Sequence, residues 1–476
     1  MELSNKNLCV DLDGSLIKTD MLLESFLFSF KKNPFVFFLC LYWFVSGGKA
    51  LLKYKLASRF VFDPSLLPYN SSLIEFLKSR RSDGWNIYLV SASNERIVRL
   101  IYDYLGFFSG CFGSSDTFNL SSTKKASFLS QKFGEKNFVY CGNSNDDVSV
   151  WKVADSAVCV NTPSGVKKKL KKIGIVFREI SDSGNFIFSV AKAVRIHQWA
   201  KNSLLFVPLV TAKLFFDYHA WESLIIAFLS FSFMSSFVYI LNDLLDLESD
   251  RSHQIKRKRP FASGDLSIAF GMILMPLLFL VSVTLSVFVS DTFVSCLFIY
   301  LIVTSLYSFK FKQLIIADCL VLSFLYTFRM LSGIAVLRVP TSLWLITFSG
   351  FFFLSLAVVK RMAELKNQEI KGVQKTKGRG YVASDYPMLS QIAVSCGMMS
   401  TLVFALYVNS SKAVLFPHPS FIYFCGPVLV FWFCYIFLQT HRGKMDEDPV
   451  MFAVKDKISL LSGFVFIALF LRGVIY

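Results

Sequence analysis

The sequence predicts two fold classes in one chain: an amino-terminal α/β domain and a carboxy-terminal all-α membrane domain. Only 17% of the 476 residues are Asp, Glu, Lys or Arg, whereas a soluble domain carries roughly 25%. Charged residues and strand-like runs are mixed over residues 1–185, while long apolar runs and short basic loops fill residues 190–476. The chain therefore divides into a globular domain and a polytopic membrane domain.

The amino-terminal domain opens with a short strand that is followed at once by two aspartates. The run Asn7–Val10 leads directly into Asp11 and Asp13. Two carboxylates at the carboxyl end of a strand point into the crevice where α/β sheets bind ligands. One carboxylate can attack a phosphoryl group while the other transfers protons, and both can hold Mg²⁺.

Three later segments supply groups for the same crevice. A second strand ends at Ser91, whose hydroxyl can hold a phosphoryl oxygen, and Lys125 lies near the start of a helix, where it can neutralise phosphoryl charge. A third strand leads into Asn143 and Asp147, which add oxygen ligands for a metal. Helix register favours Lys125 and Asp147 over the lysine and the aspartate that precede them.

These strand-end groups, in this order, resemble the haloacid dehalogenase (HAD) phosphatase superfamily over residues 1 to about 165. The resemblance implies a Rossmann-like α/β domain over residues 1–185, with a helical cap insertion near residues 20–80. A domain retained only for folding is the alternative, because a fold alone does not prove an activity.

The same resemblance implies a role for each group. Asp11 would form an aspartyl-phosphate and Asp13 would act as general acid and base, with both carboxylates also on the Mg²⁺. The remaining residues implied to bind phosphate or Mg²⁺ are Ser91, Lys125, Asn143 and Asp147.

The predicted cap region contains one short apolar stretch. Residues Pro34–Ser46 are about 13 residues long and end at Gly47 and Gly48, which is short of the roughly 20 residues that a spanning helix needs. Several lysines follow. The pattern predicts either a helical insertion that lies on, or dips into, the membrane surface, or a buried cap helix of the soluble domain.

Nine apolar runs after Trp199 predict about nine membrane passes. They lie near residues 202–217, 220–241, 267–289, 292–308, 314–336, 341–359, 389–408, 419–438 and 457–475.

The basic residues of the connecting loops are strongly biased to one side. The loops after the even-numbered passes hold 18 Lys and Arg residues, and the loops after the odd-numbered passes hold 3. Positively charged loops stay in the cytoplasm. We therefore expect an integral protein of the bacterial inner membrane, with its amino-terminal domain in the cytoplasm and Tyr476 outside.

The cytoplasmic end of the second pass carries a dense set of oxygen ligands. Asn242, Asp246 and Asp250 are spaced to share one helix face, and Asp243 is adjacent to them. Such groups at the mouth of a membrane helix are costly unless they bind a cation, and Mg²⁺ prefers hard oxygen ligands. A solvated, salt-bridged helix end is the alternative. Basic residues that would complete a Mg–diphosphate site follow at His253, Lys256 and Arg259.

This run resembles the UbiA-type polyprenyl transferase superfamily, and the resemblance covers residues 190–476. Lys201 and Asn202 fit the lead-in to the first helix of that superfamily. Most members use a second acidic motif after the fourth pass. Here Asp318 is followed by Leu322 where its acidic partner would stand.

The altered second motif, together with the residues of the sixth pass, resembles the decaprenyl-phosphate phosphoribosyltransferase branch. The resemblance implies phosphoribosyl diphosphate (PRPP) or another diphosphate donor, a polyprenyl phosphate or diphosphate lipid, and Mg²⁺. Asn242, Asp243, Asp246 and Asp250 would act on the departing diphosphate.

The resemblance also implies further substrate-binding residues. Lys256, Arg259 and Lys310 would bind the diphosphate or the ribose 5-phosphate, and Asp318 would bind a ribose hydroxyl or a second metal. Arg329 would either pair with Asp318 or touch substrate. Lys360, Arg361 and Tyr381 are the candidates for holding the lipid phosphate, although Lys360 and Arg361 could instead be topological anchors. The other substrate-binding candidates, with no separate role assigned, are Lys201, Asn202, His253 and Glu364.

Together the two halves predict a membrane phosphoribosyltransferase with a fused phosphatase that removes the 5-phosphate from lipid-linked ribose. The alternative is a prenyltransferase acting on an aromatic or other small acceptor. A transporter is disfavoured because the charged residues cluster at helix ends and not near the midplane. Nucleic-acid binding is disfavoured because the net charge of +17 is spread over loops beside the bilayer and one linker.

Overall fold

A computed structural model describes residues 6–116, 118–182, 184–370, 380–410, 417–445 and 448–475. The chain forms two compact units. The amino-terminal unit comprises Met1–Val194 and Tyr239–Pro276, and the carboxy-terminal unit comprises Arg195–Val238 and Leu277–Tyr476. Tyr476, whose side of the membrane was predicted, lies outside the described residues.

The amino-terminal unit is built on one parallel sheet, as predicted. Its strand order is β3-β2-β1-β4-β5-β6, so β1 lies between β2 and β4 and their carboxyl ends share one edge. The strands are β1 (Asn7–Val10), β2 (Asn86–Asn94), β3 (Gly110–Ser114), β4 (Val139–Gly142), β5 (Ser156–Val160) and β6 (Phe177–Ile180).

Twenty-one α-helices are described. In chain order they are α1 (Met21–Lys32), α2 (Val36–Arg59), α3 (Ser71–Ser82), α4 (Glu95–Leu105), α5 (Ser122–Phe133), α6 (Val148–Val153), α7 (Ser164–Ile173), α8 (Phe186–Val194), α9 (Val207–Thr211), α10 (Tyr218–Leu245), α11 (Leu247–Ser252), α12 (Pro260–Ser263), α13 (Ile268–Val287), α14 (Asp291–Phe309), α15 (Ala317–Leu337), α16 (Leu343–Ile370), α17 (Tyr386–Val408), α18 (Pro419–Tyr423), α19 (Cys425–His441), α20 (Pro449–Lys455) and α21 (Lys457–Ile475).

Helices cover both faces of the sheet. Leu8 and Val10 of β1 pack into a cluster with residues of α3 and α4, while Cys9 packs on the opposite face with residues of α5, α6 and α7. Successive side chains of a strand point to opposite faces, and a parallel sheet buried on both faces therefore has continuous apolar strands. This burial explains why β1 reads NLCV.

The structure of helix α2 excludes one of the two placements that the sequence predicted for it. It runs from Val36 to Arg59, with non-helical backbone at Gly47 and Gly48, and most of its first half is exposed. The buried cap helix expected as one alternative is therefore wrong. The exposed side chains remain compatible with a helix at the membrane surface.

Within the described residues, nine helices are long and apolar enough to cross a membrane. One of them is α2, which belongs to the amino-terminal unit. The other eight are Tyr218–Leu245, Ile268–Val287, Asp291–Phe309, Ala317–Leu337, Leu343–Asn367, Ala383–Val408, Pro419–His441 and Lys457–Val474.

The first predicted pass, residues 202–217, contains no α-helix long enough to span a membrane by itself. A 3₁₀ segment over Ile196–Phe206 is followed only by the short helix α9. Lys201 and Asn202 are buried in that segment and bond to polar side chains of other helices. Buried polar groups must be paired, and this pairing replaces the lipid-facing helix that the apolar run alone suggested.

The turn after α12 generates a prediction about stability. Gly264 has φ +77°, and a Cβ there would lie 2.8 Å from the Lys18 backbone oxygen. Gly264→Ala therefore adds a steric clash to the cost of a left-handed residue, which together should exceed about 1 kcal/mol. We expect the melting temperature of the amino-terminal unit to fall by about 4 °C or more.

Gly84→Ala is the matched control. Gly84 has φ +82°, but no atom lies within 4 Å of the position that a Cβ would take there, so this variant carries the backbone cost alone. Equal melting temperatures for the two variants would contradict close packing at Gly264.

Candidate functional site

The first candidate site lies at the carboxyl ends of β1, β2 and β4. Lys125 Nζ donates hydrogen bonds of 2.8 Å to Asp11 Oδ1 and of 2.8 Å to Tyr140 Oη. The Tyr140 hydroxyl donates to Asp147 Oδ1 at 3.0 Å. All four side chains are buried. The single ammonium of Lys125 therefore faces the Asp11 and Asp147 carboxylates, the latter at 3.9 Å.

Asp13 is held by a separate set of donors. The hydroxyls of Ser91 and Ser93 donate to Asp13 Oδ2 at 3.2 and 2.6 Å. The backbone N–H of Met21, at the start of α1, donates to Asp13 Oδ1 at 2.8 Å. The predicted Ser91 thus lies beside one of the two aspartates. Ser93 has the same contact and was not predicted.

The loop after β4 fixes Asp147. Its Oδ2 accepts hydrogen bonds of 3.0 Å from the backbone N–H groups of Asn143 and Ser144. The Asn143 side chain packs against Gly14, where a Cβ would lie 2.1 Å from Asn143 Nδ2. With its φ of +74°, position 14 requires glycine. Lys124 and Asp146, the neighbours that helix register disfavoured, are exposed.

The electrostatics of this crevice suit a cation. Burial raises the pKa of Asp11 to about 7, although Lys125 opposes the shift. Burial, reinforced by Asp20, raises the pKa of Asp13 to about 6. Carboxylates therefore outnumber the cations beside them, and a divalent ion would stabilise their charged forms.

The donor set fits Mg²⁺. The side chains of Asp11, Asp13 and Asp147 all offer hard oxygen atoms. Within the described residues no three His, Cys, Asp or Glu side chains form a ready cage for a metal. Mg²⁺ commonly binds through one or two carboxylates, with water and substrate phosphate completing its shell.

Two groups of the crevice escaped sequence reasoning. Tyr140 is the last residue of the third predicted strand, where an aromatic residue is expected to pack in the hydrophobic core. Ser93 lies two residues beyond Ser91, and because side chains two apart in a strand share a face, that spacing could have identified it.

The second candidate site is the acidic segment at the end of α10. Arg259 Nη1 donates to Asp243 Oδ1 at 3.0 Å and to Asp250 Oδ2 at 2.7 Å. Asp246 lies at a break between α10 and α11 and is partly exposed. The backbone N–H groups of Asp246 and Asp250 still bond to the carbonyl oxygens of Asn242 and Asp246 across this break, at 2.9 and 2.8 Å. Asp246 interacts electrostatically with the Arg259 guanidinium that joins Asp243 and Asp250. That Asn242, Asp246 and Asp250 act from one helix face stays a prediction.

Helix α1 contacts the same acidic segment. Arg251 makes a two-pronged ion pair with Glu24, with N–O distances of 3.0 and 2.6 Å, and both side chains are buried. Lys31 Nζ lies 2.5 Å from Asp246 Oδ1. Charge-assisted two-pronged bonds are strong and orient their partners. No local signal in the sequence pairs α1 with residues that lie about 215 positions later.

The basic residues after α11 form a compact turn. His253 Nδ1 accepts hydrogen bonds from the backbone N–H groups of Ile255 and Lys256. Lys256 opens a 3₁₀ turn that ends at Lys258 and is half-buried. These residues lie next to the acidic segment in the amino-terminal unit.

A third polar group, in the carboxy-terminal unit, joins Lys201, Asp448 and Lys360. Lys201 forms a salt bridge with Asp448, and Lys360 lies 3.8 Å from the same carboxylate. Although burial alone would raise it, the attraction of Lys201 and then of Lys360 lowers the pKa of Asp448 to about 2. Asp448 was not predicted.

Arg361 and Asp318 form a buried ion pair. Arg361 Nε lies 2.6 Å from Asp318 Oδ2, and its Nη1 lies 2.5 Å from Glu364. The Tyr381 hydroxyl donates to Asp318 Oδ1 at 2.6 Å. A fully buried carboxylate with a guanidinium partner is not arranged to ligate a second metal. That expectation for Asp318 is therefore unsupported, and so is simple anchoring as the role of Arg361.

Arg329 does not pair with Asp318. Its Nε donates to Asn202 Oδ1 at 2.9 Å and its Nη2 to Tyr300 Oη at 3.2 Å. Asp318 and Arg329 are separated by three turns of α15, or about 16 Å, which explains why this expected ion pair is wrong. Lys310, which follows α14, is exposed.

The carboxy-terminal unit also contains a large apolar cavity. Its volume is about 1040 Å³, and its lining is dominated by apolar side chains, including Phe206, Trp344, Phe404 and Phe470. A cavity of this size and character can hold an extended hydrocarbon chain.

These features define a protein with a bundle of long apolar helices and a six-stranded parallel α/β domain whose strand ends carry acidic residues. The model of the UbiA prenyltransferase family matches residues 205–462. The chain belongs to this family. The two predicted fold classes, a parallel α/β domain and an all-α membrane domain, are confirmed, although no long helix forms at the first of the nine predicted passes.

Relatives of two kinds are similar to the chain. The protein y4nM of Sinorhizobium fredii is 33% identical over 460 residues, which is 96% of this chain and 89% of that protein. A decaprenyl-phosphate phosphoribosyltransferase of Mycolicibacterium smegmatis is 31% identical over 206 residues, which is 42% of this chain and 65% of that enzyme.

Among solved structures, a HAD family hydrolase of Salmonella enterica covers 38% of this chain and 68% of its own, with 11% identity and a TM-score of 0.29. The HAD-type description of the amino-terminal domain therefore rests on its sheet order and strand-end residues.

The buried pair of Glu24 and Arg251 generates a second prediction. Glu24→Leu or Arg251→Met alone leaves an unpaired buried charge, which should cost about 3–5 kcal/mol. The double variant removes both charges and should cost clearly less. Thermal unfolding of the four proteins in one detergent measures the coupling between the two residues.

The exposed pair of Lys167 and Glu179 is the control, because exposed ion pairs contribute about 0–1 kcal/mol. Additive effects of the Glu24 and Arg251 substitutions would show that the ion pair contributes nothing.

Proposed function

We propose that this enzyme transfers a 5-phosphoribosyl group from PRPP to a polyprenyl phosphate in the membrane, and that its HAD-type domain then removes the 5-phosphate from the lipid-linked ribose. The observation that carries the first half is the burial of Asp318 against Arg361. It leaves one acidic segment where prenyltransferases use two. The similarity to decaprenyl-phosphate phosphoribosyltransferases supports the same donor.

The acidic segment would act on the leaving diphosphate. Asn242, Asp243, Asp246 and Asp250 would hold Mg²⁺, which neutralises diphosphate charge when bound. Arg259 bridges Asp243 and Asp250 and so keeps two carboxylates in place although they repel each other. His253, Lys256 and Lys310 would bind diphosphate or the ribose 5-phosphate.

The transfer itself needs one bond to form and one to break. The C1–O bond to diphosphate breaks with its electron pair on the leaving oxygen, and an oxygen of the lipid phosphate bonds to the oxocarbenium-like C1. Preorganised charge beside the leaving group is the main catalytic contribution available. Lys201, Asn202, Lys360 and Tyr381 are the proposed residues near the lipid phosphate, together with Arg329, Arg361 and Glu364.

The apolar cavity supports a lipid acceptor. Its volume of about 1040 Å³ and its aromatic lining suit part of an isoprenoid chain, whose burial contributes about 0.8 kcal/mol per CH₂ group.

In the HAD-type crevice, a carboxylate oxygen of Asp11 would attack phosphorus. The ester oxygen would leave as an alcohol that takes a proton from Asp13, and water activated by Asp13 would then hydrolyse the aspartyl-phosphate. Lys125 and Ser91 would bind the phosphoryl oxygens, while Asn143 and Asp147 complete the Mg²⁺ side. Tyr140 would hold Lys125 and Asp147 in place.

A tethered phosphatase gains from a high effective concentration of its substrate. Removal of the phosphate would also make the pathway step irreversible. Both sites would face the cytoplasm, as the bias of basic residues in the connecting loops predicts.

The second candidate function is prenyl transfer from a prenyl diphosphate to an aromatic or other small acceptor, which membership of the UbiA family favours. Membranes containing the protein should incorporate label from PRPP into a polyprenyl phosphate. If label is incorporated from prenyl diphosphate and not from PRPP, prenyl transfer becomes the favoured function.

Substitutions should separate the two activities. Asp246→Asn weakens the proposed binding of the Mg–diphosphate, so the amount of every lipid product should fall at least 100-fold. The control is Asp291→Asn, because Asp291 is an exposed aspartate at the start of α14, and this variant should leave the amount of lipid product unchanged. Mass spectrometry of the lipids formed from PRPP measures the product of each variant.

Asp11→Asn removes the proposed nucleophile and leaves the transferase intact. Lipid-linked ribose 5-phosphate should then accumulate in place of lipid-linked ribose, and the exposed Asp103→Asn should behave as wild type. An identical product with and without the Asp11 carboxylate would refute the phosphatase role.

A further inference from the structure

The first half of α2 exposes apolar side chains around nearly its whole surface. Phe38 is 66% exposed and Val45 is 85% exposed, and only Val36 and Trp43 are buried. The exposed apolar residues of this half are Phe37, Phe38, Leu39, Leu41, Tyr42, Phe44 and Val45, and Phe35, which precedes the helix, is exposed as well. A contiguous apolar surface of this kind marks an interaction site.

The chain folds back on itself at Gly47 and Gly48. Both glycines have non-helical backbone, with φ +65° at Gly48. The Arg59 guanidinium lies 4.7 Å from the centre of the Trp43 ring, although a straight helix would separate the two residues by about 24 Å. Helix α2 is therefore a helical hairpin that cannot cross a bilayer as one rod.

The base of this hairpin lies beside a membrane-spanning helix. Lys31, five residues before α2, contacts Asp246 at 2.5 Å, and Asp246 directly follows the candidate span Tyr218–Leu245. The base of the hairpin is therefore tied by an ion pair to the residue that directly follows this candidate span.

Length and charge indicate how deep the hairpin can reach. Its first half, residues 36–46, is about 16 Å long, or about half of the roughly 30 Å hydrocarbon core. Basic residues flank the apolar part on both sides, where they can meet anionic headgroups. They are Lys31, Lys32, Lys49, Lys55 and Arg59.

The second half of the hairpin reaches the phosphatase crevice. Lys53 Nζ donates to the Ala92 carbonyl oxygen at 2.6 Å and to Asn119 Oδ1 at 3.1 Å. Ala92 lies between Ser91 and Ser93, the two residues that hold Asp13. Lys53 is thus a positioning residue that ties the hairpin to the reacting groups.

We infer that α2 is a re-entrant hairpin that inserts into one leaflet and presents a membrane-borne phosphate monoester to the Asp11 and Asp13 crevice. The substrate named in this inference depends on the proposed phosphatase function. The insertion of the hairpin into the membrane does not depend on it. The occupant of the apolar surface is the lipid bilayer. A phosphatase docked in this way favours an amphiphilic substrate, whose tail stays in the bilayer, over a soluble phosphate ester.

Photolabelling of the full chain in phosphatidylglycerol-containing nanodiscs tests insertion. The probe is a phospholipid with a diazirine on its acyl chain, and labelled peptides are identified by mass spectrometry. The extent of labelling of peptides that cover residues 35–46 should be within about threefold of the extent measured for peptides from α13. Val61 and Val176, which are exposed apolar residues of the same unit, are the controls and should be labelled at least tenfold less.

Labelling of residues 35–46 no stronger than that of Val61 and Val176 would overturn the inference. Cross-links between the hairpins of two copies, without lipid labelling, would show that a second copy covers the surface and would overturn it equally.

Activity tests the substrate class. The variant Phe37→Ser/Phe38→Ser/Phe44→Ser should lose at least tenfold in kcat/KM for hexadecyl phosphate embedded in the nanodisc. It should change less than twofold for soluble p-nitrophenyl phosphate, which also reports intact folding. Val61→Ser/Val176→Ser should change neither value.

Equal losses on the two substrates would overturn presentation from the membrane. Hydrolysis of neither substrate by the unmodified protein would refute the proposed phosphatase function, whereas the lipid labelling would still decide insertion. Lys53→Met should lower kcat on both substrates, and Lys53→Arg should restore most of it, because the role of Lys53 is to hold Ala92.

Discussion

A carboxylate that is removed from water requires a positive partner close by, and this requirement organises both units. Lys125 sits between Asp11 and a second carboxylate in the α/β crevice, and Arg361 neutralises Asp318 among the membrane helices. Each ion pair joins residues from different helices or strands. The buried charges therefore specify which elements pack together, and they leave few carboxylates available for ligands.

The acidic segment shows how this constraint separates supporting residues from reactive ones. Asp243 and Asp250 share Arg259 and are buried, so their orientation is set before any ligand arrives. Asp246 lies at the helix break, is partly exposed and faces Lys31 of α1. Helix α1 thereby contacts, within the amino-terminal unit, the segment that is proposed to hold the diphosphate.

The chemistry-bearing positions could largely be predicted because they follow local rules. Asp11 and Asp13 follow a strand of apolar residues, and groups at the carboxyl ends of parallel strands meet at one edge. The structure brings Lys125 and Asp147 to this edge as helix register had favoured. The membrane class followed equally well from composition, since long apolar runs have few other stable outcomes. Tyr140 was missed because an aromatic residue in a buried strand does not indicate that its hydroxyl bonds to charged side chains of the site.

The sequence by itself determined the two fold classes, the family and the set of acidic and basic residues that can do chemistry, because strand ends, apolar runs and motif spacing are local properties. Only the tertiary structure decided which charges pair. Arg251 pairs with Glu24, and Arg329 bonds to Asn202 and not to Asp318 as one alternative had it. Such partners lie more than 100 residues apart, and their choice depends on how helices pack and on which carboxylates lose water, which no local pattern records.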